Sequence, residues 1–265
     1  MIVWLNDIHF DFLDIVQENN FVHDIKKCNP KFLFIAGDIG QSESLEAYLI
    51  RIRFTLGIPI YFVLGNHDYY GSSIEEVNKK ISKFCKDMRS RDRLFYWLDE
   101  EQPVVLNENT VLIGVSNAFG DMSYGNYKTT TVKLNDFEHI SELKRLVTRE
   151  EVINKLKLYS YEWSSLLMSK LMVVEKYQNI IVLLHTPPFK EAAWYKGEQS
   201  NDDLLPFFAN KSCGQALKVF ASNTPKCNIT VLCGHTHSGG EVQILPNLKV
   251  ITGESDYRAP IFHKL

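Results

Sequence analysis

The 265-residue chain has no run of about 18 consecutive apolar residues, so no membrane span is expected. It has no excess of positive charge: Lys and Arg total 29 against 32 Asp and Glu, a formal net charge of −3. A protein that tracks a phosphate backbone by counterion release should be far more basic, so no strong electrostatic signature for nucleic acid is present. Its five cysteines are odd in number and nowhere spaced C-x-x-C, a pattern that suggests neither a disulfide framework nor a thiolate zinc site. Gly and Pro are sparse, at 14 and 9, while 45% of residues are hydrophobic; collagen-like and disordered chains are both excluded. The N-terminus reads Met-Ile-Val-Trp-Leu-Asn-Asp, without a basic region ahead of an apolar one, and with reduced thiols this points to a cytoplasmic protein.

What is present is alternation. Ile2–Leu5, Phe32–Ala36 and Ile60–Leu64 are short β-branched and aromatic runs that read as buried strands. Residues 12–27, 43–56 and 73–88 between and after them read as helices, the last opened by a capping box from Ser72 with Glu75 or Ser73 with Glu76. This β-α-β-α-β order predicts a parallel sheet covered by helices. Leu94–Trp97, Val104–Leu106 and Val111–Val115 follow with short connections and suggest antiparallel pairing. A polar stretch comes next, expected to form a lid or loop insertion at about 116–147, where Asn117, Asp121 and Tyr124 are candidates to line a cleft. Thr148 and Glu151 form another capping box, opening a helix expected to reach Gln178 with Val152, Leu156, Tyr159, Trp163 and Leu166 on its buried face. Strands return at Ile180–Leu184, Ile229–Cys233, Val242–Leu245 and Leu248–Thr252. No repeat and no flexible linker interrupts the chain, so residues 1–265 are expected to form one catalytic domain.

The chemistry gathers where strands stop. The first strand runs into Asp7-Ile8-His9, the second into Gly37-Asp38 and the third into Gly65-Asn66-His67-Asp68; later strands run into His185 and into Gly234-His235-Thr236-His237. The carboxyl ends of strands form the site-bearing edge of an α/β sheet. Asp7, His9, Asp38, Asn66, His185, His235 and His237 are all metal-ligand types, too many for one zinc ion, which takes about four. They suit two ions sharing a bridging carboxylate. Two divalent cations against two aspartates and a hydroxide leave net positive charge, suited to an anionic substrate such as a phosphate ester. Oxygen and imidazole donors without thiolate fit Mn, Fe, Zn or Ni, with Mn expected to support activity in vitro.

The ordered set D-x-H, G-D, G-N-H-D, H and G-H-T-H resembles the calcineurin-like metallophosphoesterase family, over motifs spanning residues 7–237. The resemblance implies an α/β (mixed α+β) fold in which two mixed β-sheets pack as a sandwich flanked by helices, four layers in all. It implies a first metal on Asp7, His9 and His237, a second on Asn66, His185 and His235, and Asp38 bridging them. It places His67 against the phosphate, as the group able to protonate the leaving oxygen, and makes the reaction an attack by a metal-bridging hydroxide on phosphorus. The phosphoprotein phosphatases of that superfamily continue the second motif with a further Asp and Arg; here it reads Gly37-Asp38-Ile39-Gly40-Gln41, and the aspartate that orients their catalytic histidine is missing. The expectation is therefore a phosphodiesterase on a small substrate. A phosphomonoesterase is the alternative, with a nuclease or a non-catalytic scaffold behind it.

Outside the motifs, Thr186-Pro187-Pro188-Phe189 and Trp194-Tyr195-Lys196 leave a ligand strand end, so Trp194 and Tyr195 are candidates to stack on a ring of the substrate, with Asn117 a further contact. Lys86, Arg89, Arg91 and Arg93 are interleaved with Asp87 and Asp92 and read as a solvated helix end. His23, His139 and His263 read as structural or surface histidines. Nothing in the sequence sets an oligomeric state.

Overall fold

The structure is a computed structural model that describes residues 1–91 and 94–265. In chain order its elements are β1 (Ile2–Leu5), α1 (Ile15–Lys27), β2 (Phe32–Ala36), α2 (Leu45–Leu56), β3 (Ile60–Val63), α3 (Ile74–Arg89), β4 (Phe95–Trp97), β5 (Val104–Asn107) and β6 (Thr110–Gly114). There follow α4 (Asp136–His139), α5 (Ser141–Lys144), α6 (Arg149–Met172), β7 (Asn179–Leu183), β8 (Trp194–Tyr195), β9 (Glu198–Gln199), α7 (Leu205–Phe208) and α8 (Lys211–Asn223). The chain closes with β10 (Asn228–Cys233), β11 (Gly240–Leu245), β12 (Leu248–Thr252) and β13 (Phe262–Lys264).

Two mixed sheets result, ordered β13-β1-β2-β3-β4 and β11-β12-β10-β7-β6-β5. Successive strand residues point to opposite faces, and both faces are apolar here. One set (Trp4, Phe34, Ala36, Tyr61, Val63, Leu112, Leu183 and Leu232) forms the layer between the sheets. The alternate set (Val3, Leu5, Leu33, Ile35, Ile60, Phe62, Ile113, Val182 and Val231) meets the helices outside. Burial on both sides explains why these strands read as continuous hydrophobic runs.

The sandwich, with helices on its outer faces, is as expected. Two pairings are not. The strand at Phe95–Trp97 was expected to be antiparallel, but β4 lies parallel to β3, with Phe62 opposite Trp97. The intervening helix α3 is long enough to carry the chain back to the starting end of the sheet, which is what parallel pairing needs. Similarly β6 is antiparallel to β5 yet parallel to β7, with α6 as the crossover. Helix α6 has the expected Thr148–Glu151 capping box but stops at Met172 rather than Gln178, and Val174 turns back into the core, fully buried. Its buried face begins at Val152, Leu156 and Trp163, then moves over by one residue to Leu167 and Leu171, leaving Tyr159 and Leu166 half-buried. That drift is what a 3.6-residue helix does to a strict 4-3 spacing. For α3, Ser73 is the residue that caps, accepting from the Glu76 N–H at 3.1 Å.

Residues 116–147 form a pinned loop carrying α4 and α5. Gly120 N–H donates to the Phe207 carbonyl (3.0 Å), Asn126 N–H to Asp202 (2.7 Å), and the Thr130 hydroxyl to Asp203 (3.0 Å). At the end of α3, Lys86 pairs with Glu100 at 3.2 Å and Arg89 with Glu101, so these two cations are neutralised locally. Asp92 and Arg93 of that run lie outside the described residues. Among the described residues no helix is long and apolar enough to cross a membrane.

Candidate metal centre

Strands β1, β2, β3, β7, β10 and β12 run parallel within their sheets, so their carboxyl ends share an edge in each. The loops leaving them are stitched together. Asp7 N–H donates to the Gly37 carbonyl (3.2 Å), His9 N–H to Asp38 (3.0 Å), and Gly234 N–H to His185 (2.9 Å). These loops are strained as well as tied. Asp7, His9, Asp38, His235 and His237 sit at φ of 47°, 40°, 53°, 71° and 58°, in the left-handed region that side-chain-bearing residues avoid. Each costs roughly 1–3 kcal/mol and persists only where the surroundings enforce it. Between them, Gly37 at φ 86° needs glycine's freedom. At Gly65 space is the constraint, since a Cβ there would run into the Asp38 carboxylate and the His185 ring.

Together these loops turn seven side chains inward, five of them from the left-handed positions. His9 Nε2 lies 3.1 Å from His237 Nε2 and 3.5 Å from Asp38 Oδ2; Asp7 offers an oxygen to the same group. Asp38 Oδ1 faces the other way, 3.5 Å from His185 Nε2. His185 Nε2 is in turn 2.9 Å from Asn66 Oδ1 and 3.1 Å from His235 Nδ1, and the last two atoms are 3.0 Å apart. The carboxylate of Asp38 therefore stands between two donor groups.

The surroundings settle which of these atoms carry lone pairs. His185 donates from Nδ1 to the Ala36 carbonyl at 2.8 Å, leaving Nε2 bare. His235 donates from Nε2 to the Phe207 carbonyl at 3.1 Å, leaving Nδ1 bare. The Asn66 amide donates to Asp136 Oδ1 at 2.7 Å, which turns Oδ1 inward. Three acceptor atoms thus converge within about hydrogen-bond distance with no hydrogen among them, an arrangement that repels itself unless a cation sits between. The donor chemistry fits divalent metal, and the hydrogen bonds behind each ligand are those that orient metal-bound side chains.

Burial and charge point the same way. Burial pushes the carboxyls of Asp7 and Asp38 up, Asp38 further because Asp7 and Asp68 lie close. Burial pulls His9 and His185 well below the ordinary imidazole range and His235 down to about 4. Neutral imidazole is the form that binds metal, and bound cations would restore the carboxylates to their charged form.

His67 lies beside this group, its ring 4.4 Å from His9 and stacked on Tyr70 at 4.3 Å. Its main-chain N–H donates to Asp38 Oδ1 at 2.8 Å, and burial followed by the neighbouring histidines brings its imidazole down to about 3. Asp68 does not orient it. The Asp68 carboxylate accepts main-chain N–H groups of Asp38, Ile39, Gly40 and Gly65 at 2.8–3.1 Å, knotting the second and third loops together.

A cleft of about 480 Å³ opens over the group, lined by Asp38, Asn66, His67, His235 and His237, by Tyr195 and Lys196, and by Tyr257. Of the residues expected to touch substrate, Tyr195 is on this lining. Trp194 is not: its ring is half-buried and laid on the backbone of Gly240. Asn117 is fully buried, accepting the His185 N–H at 2.7 Å and donating to the Thr186 carbonyl at 2.7 Å, so it holds a ligand strand end in place. Asp121 is buried too, bound to Ser212 at 2.9 Å. Tyr124 lies along a separate groove with Lys211 and Gln243. The sequence reading missed Asp136 and Tyr70, which share a 2.7 Å bond behind Asn66, and Asn6, whose amide donates to Asp7 at 2.7 Å. Asn6 adjoins the first motif and a buried polar side chain there was open to inference; Asp136 carries no local signal.

The sequence matches the calcineurin-like phosphoesterase family over residues 1–239, and the chain belongs to that family. It is a dinuclear metal-dependent hydrolase of phosphoesters. Solved structures share the fold at low identity. A phosphopantetheinyl hydrolase from Mycobacterium tuberculosis is 13% identical with a TM-score of 0.64, the alignment covering 96% of this chain and 89% of that one. A dimetal phosphatase from Danio rerio is 13% identical with a TM-score of 0.58, over 98% and 91% of the two chains. A protein from Thermus thermophilus, also 13% identical, has a TM-score of 0.56 over 96% and 88%. No curated protein sequence matches the chain.

Proposed function

We propose that residues 1–265 act as one catalytic domain that hydrolyses a small phosphodiester, with Asp7, His9 and His237 holding one cation, Asn66, His185 and His235 the other, and Asp38 shared between them. The observation that carries this reading is the convergence of His185 Nε2, Asn66 Oδ1 and His235 Nδ1, acceptors within 3.1 Å of one another. Two divalent cations, when bound, supply a water of lowered pKa as nucleophile and positive charge against the phosphoryl oxygens. Manganese is the metal we expect to support turnover.

The chain's own residues do the rest. Asp38 fixes the spacing of the two groups and is itself fixed by the His67 N–H. His67 faces the cleft as a neutral ring able to donate an N–H to a phosphoryl oxygen. An anionic ester beside it favours the protonated ring, the form that hands a proton to the departing alkoxide. Tyr195 offers a face on the rim, and its neighbour Lys196 is the sole Lys or Arg on the cleft lining among the described residues. A cleft of about 480 Å³ has room for a substrate of roughly nucleotide size. The Danio rerio relative is a dimetal phosphatase and the mycobacterial one a hydrolase, which supports the reaction class.

The test compares bis-p-nitrophenyl phosphate with p-nitrophenyl phosphate on metal-stripped protein resupplied with Mn²⁺. Preference for the diester is the expected result; preference for the monoester makes the protein a phosphatase. Asp38→Asn is expected to abolish turnover, and full activity in that variant would end the two-cation reading.

A further inference from the structure

The family match ends at residue 239, but the chain does not leave the site there. Strand β12 belongs to one sheet and β13 to the other, and β12 ends on the same edge as β10. The connection from Gly253 to Ile261 must therefore cross between the sheets beside the ligand-bearing loops. It is anchored as it crosses. The Ser255 hydroxyl donates to the Asp7 carbonyl at 2.7 Å, and Asp256 closes a turn by accepting the Arg258 N–H at 2.9 Å.

This anchored crossing presents Tyr257. Its ring lies 4.5 Å from that of His9 and 4.4 Å from that of His237, covering the two histidines of the first donor group. Phe12 packs against it at 4.9 Å and also meets the edge of His9 at 6.0 Å. Both rings remain open to solvent, Tyr257 at 38% and Phe12 at 47%, and Ile15 and Val16 just beyond Phe12 are exposed as well. Tyr257 lines the cleft, and its hydroxyl has no protein partner among the described residues. Tyr257 thus presents a partly exposed ring to the cleft over His9 and His237, with the half-exposed Phe12 packed beside it.

We propose that Tyr257, backed by Phe12, is a specificity-determining wall against which a planar or apolar ester arm of the substrate stacks. The inference rests on the phosphoesterase reading above and narrows it to phosphoesters carrying a ring or comparable apolar group. Stacking against an aromatic face is tolerant of the identity of the ring, so the wall selects for a class and not for one compound. The Tyr257 hydroxyl is not needed for this; the ring is.

Methylphosphonate and phenylphosphonate carry the same head group and differ only in the arm. By calorimetry on Mn²⁺-loaded protein the phenyl compound is expected to bind about tenfold more tightly. Tyr257→Ala and Phe12→Ala should bring the two affinities close to equality, while Tyr257→Phe keeps the preference. Equal loss for both ligands in Tyr257→Ala, accompanied by loss of bound metal, would show a cover for His9 and His237 only and overturn the proposal. So would an unchanged preference. Should Tyr257→Ala not fold, Phe12→Ala against wild type decides. If neither phosphonate binds but bis-p-nitrophenyl phosphate is still hydrolysed, the wall alone fails. If binding and hydrolysis are both absent, the phosphoesterase reading fails and the wall with it.

Discussion

The amide of Asn66 donates to the carboxylate of Asp136 at 2.7 Å, although the two residues are 70 positions apart. Asp136 is buried, and the Tyr70 hydroxyl donates to the same oxygen at 2.7 Å. The pair decides which end of the Asn66 amide faces His185 and His235. Asp136→Ala frees that amide to present its NH₂ group inward, where it repels a cation. The second metal is then expected to bind about 10–100-fold more weakly, as for the loss of other residues that orient metal ligands. Metal titration followed by calorimetry checks this. Tyr70→Phe, which leaves the Asn66–Asp136 bond intact, should show a much smaller change.

The same pair marks how far the sequence could be read. Asp7, His9, Asp38, His185, His235 and His237 are legible because each follows an apolar run, and a strand end locates its side chain without knowledge of the rest of the fold. The sandwich is legible for a similar reason: strands buried on both faces leave continuous hydrophobic runs. Asp136 and Asn117 are not legible as supports. Each is a polar residue in a polar stretch, and its partner is chosen by how a long loop packs. Asn117 was expected on the cleft but lies beneath it, because nothing local distinguishes an asparagine that meets substrate from one that holds a backbone. The direction of β4 failed for another reason. A three-residue strand carries no mark of its orientation, and only the length of α3 sets it.

Gly65→Ala should be tolerated poorly even though Gly65 makes no side-chain contact of its own. The added methyl meets the Asp38 carboxylate, which accepts the His67 N–H, and the His185 ring, which donates to the Ala36 carbonyl. Neither can retreat without abandoning its place among the ligands. Overpacking of this kind typically costs roughly 1–3 kcal/mol. The expected outcome is a Tm lower by several degrees together with loss of bound metal, read by differential scanning calorimetry and elemental analysis. An alanine variant with wild-type Tm and metal content would mean that the loops after β2 and β3 are softer than their hydrogen bonding implies.

Metal should stabilise the fold itself. Without a cation the acceptors of His185, Asn66 and His235 face one another with no hydrogen between them, and the carboxylates of Asp7 and Asp38 are buried close together. A ligand that binds only the folded state at 100 times its Kd contributes about 2.7 kcal/mol. For a chain of this size that corresponds to roughly 5–10 °C in Tm. Thermal denaturation of the chelated protein with and without added Mn²⁺ measures it, and Asp38→Asn should reduce the gain. Equal melting temperatures would count against a built metal centre.

Asn117 offers a way to disturb one ligand without touching it. Its Oδ1 accepts the His185 N–H and its amide reaches the Thr186 carbonyl, both at 2.7 Å, so it fixes the main chain where β7 gives way to the loop. Asn117→Ala leaves a buried N–H and a buried carbonyl without partners, which costs about 1–3 kcal/mol for each group left unpaired. The His185 ring keeps its bond to Ala36 and its carbonyl keeps the Gly234 N–H, but its own N–H loses its anchor, so the second donor group loosens while Asp7, His9 and His237 stay as they are. We expect a clear fall in Tm, weaker binding of one of two metal equivalents, and lower kcat with KM little changed. Asn117→Asp restores an acceptor for the His185 N–H but not the donor to Thr186, and should recover part of the metal affinity. If both variants retain two tightly bound metals, the placement of His185 depends on its ring contacts alone.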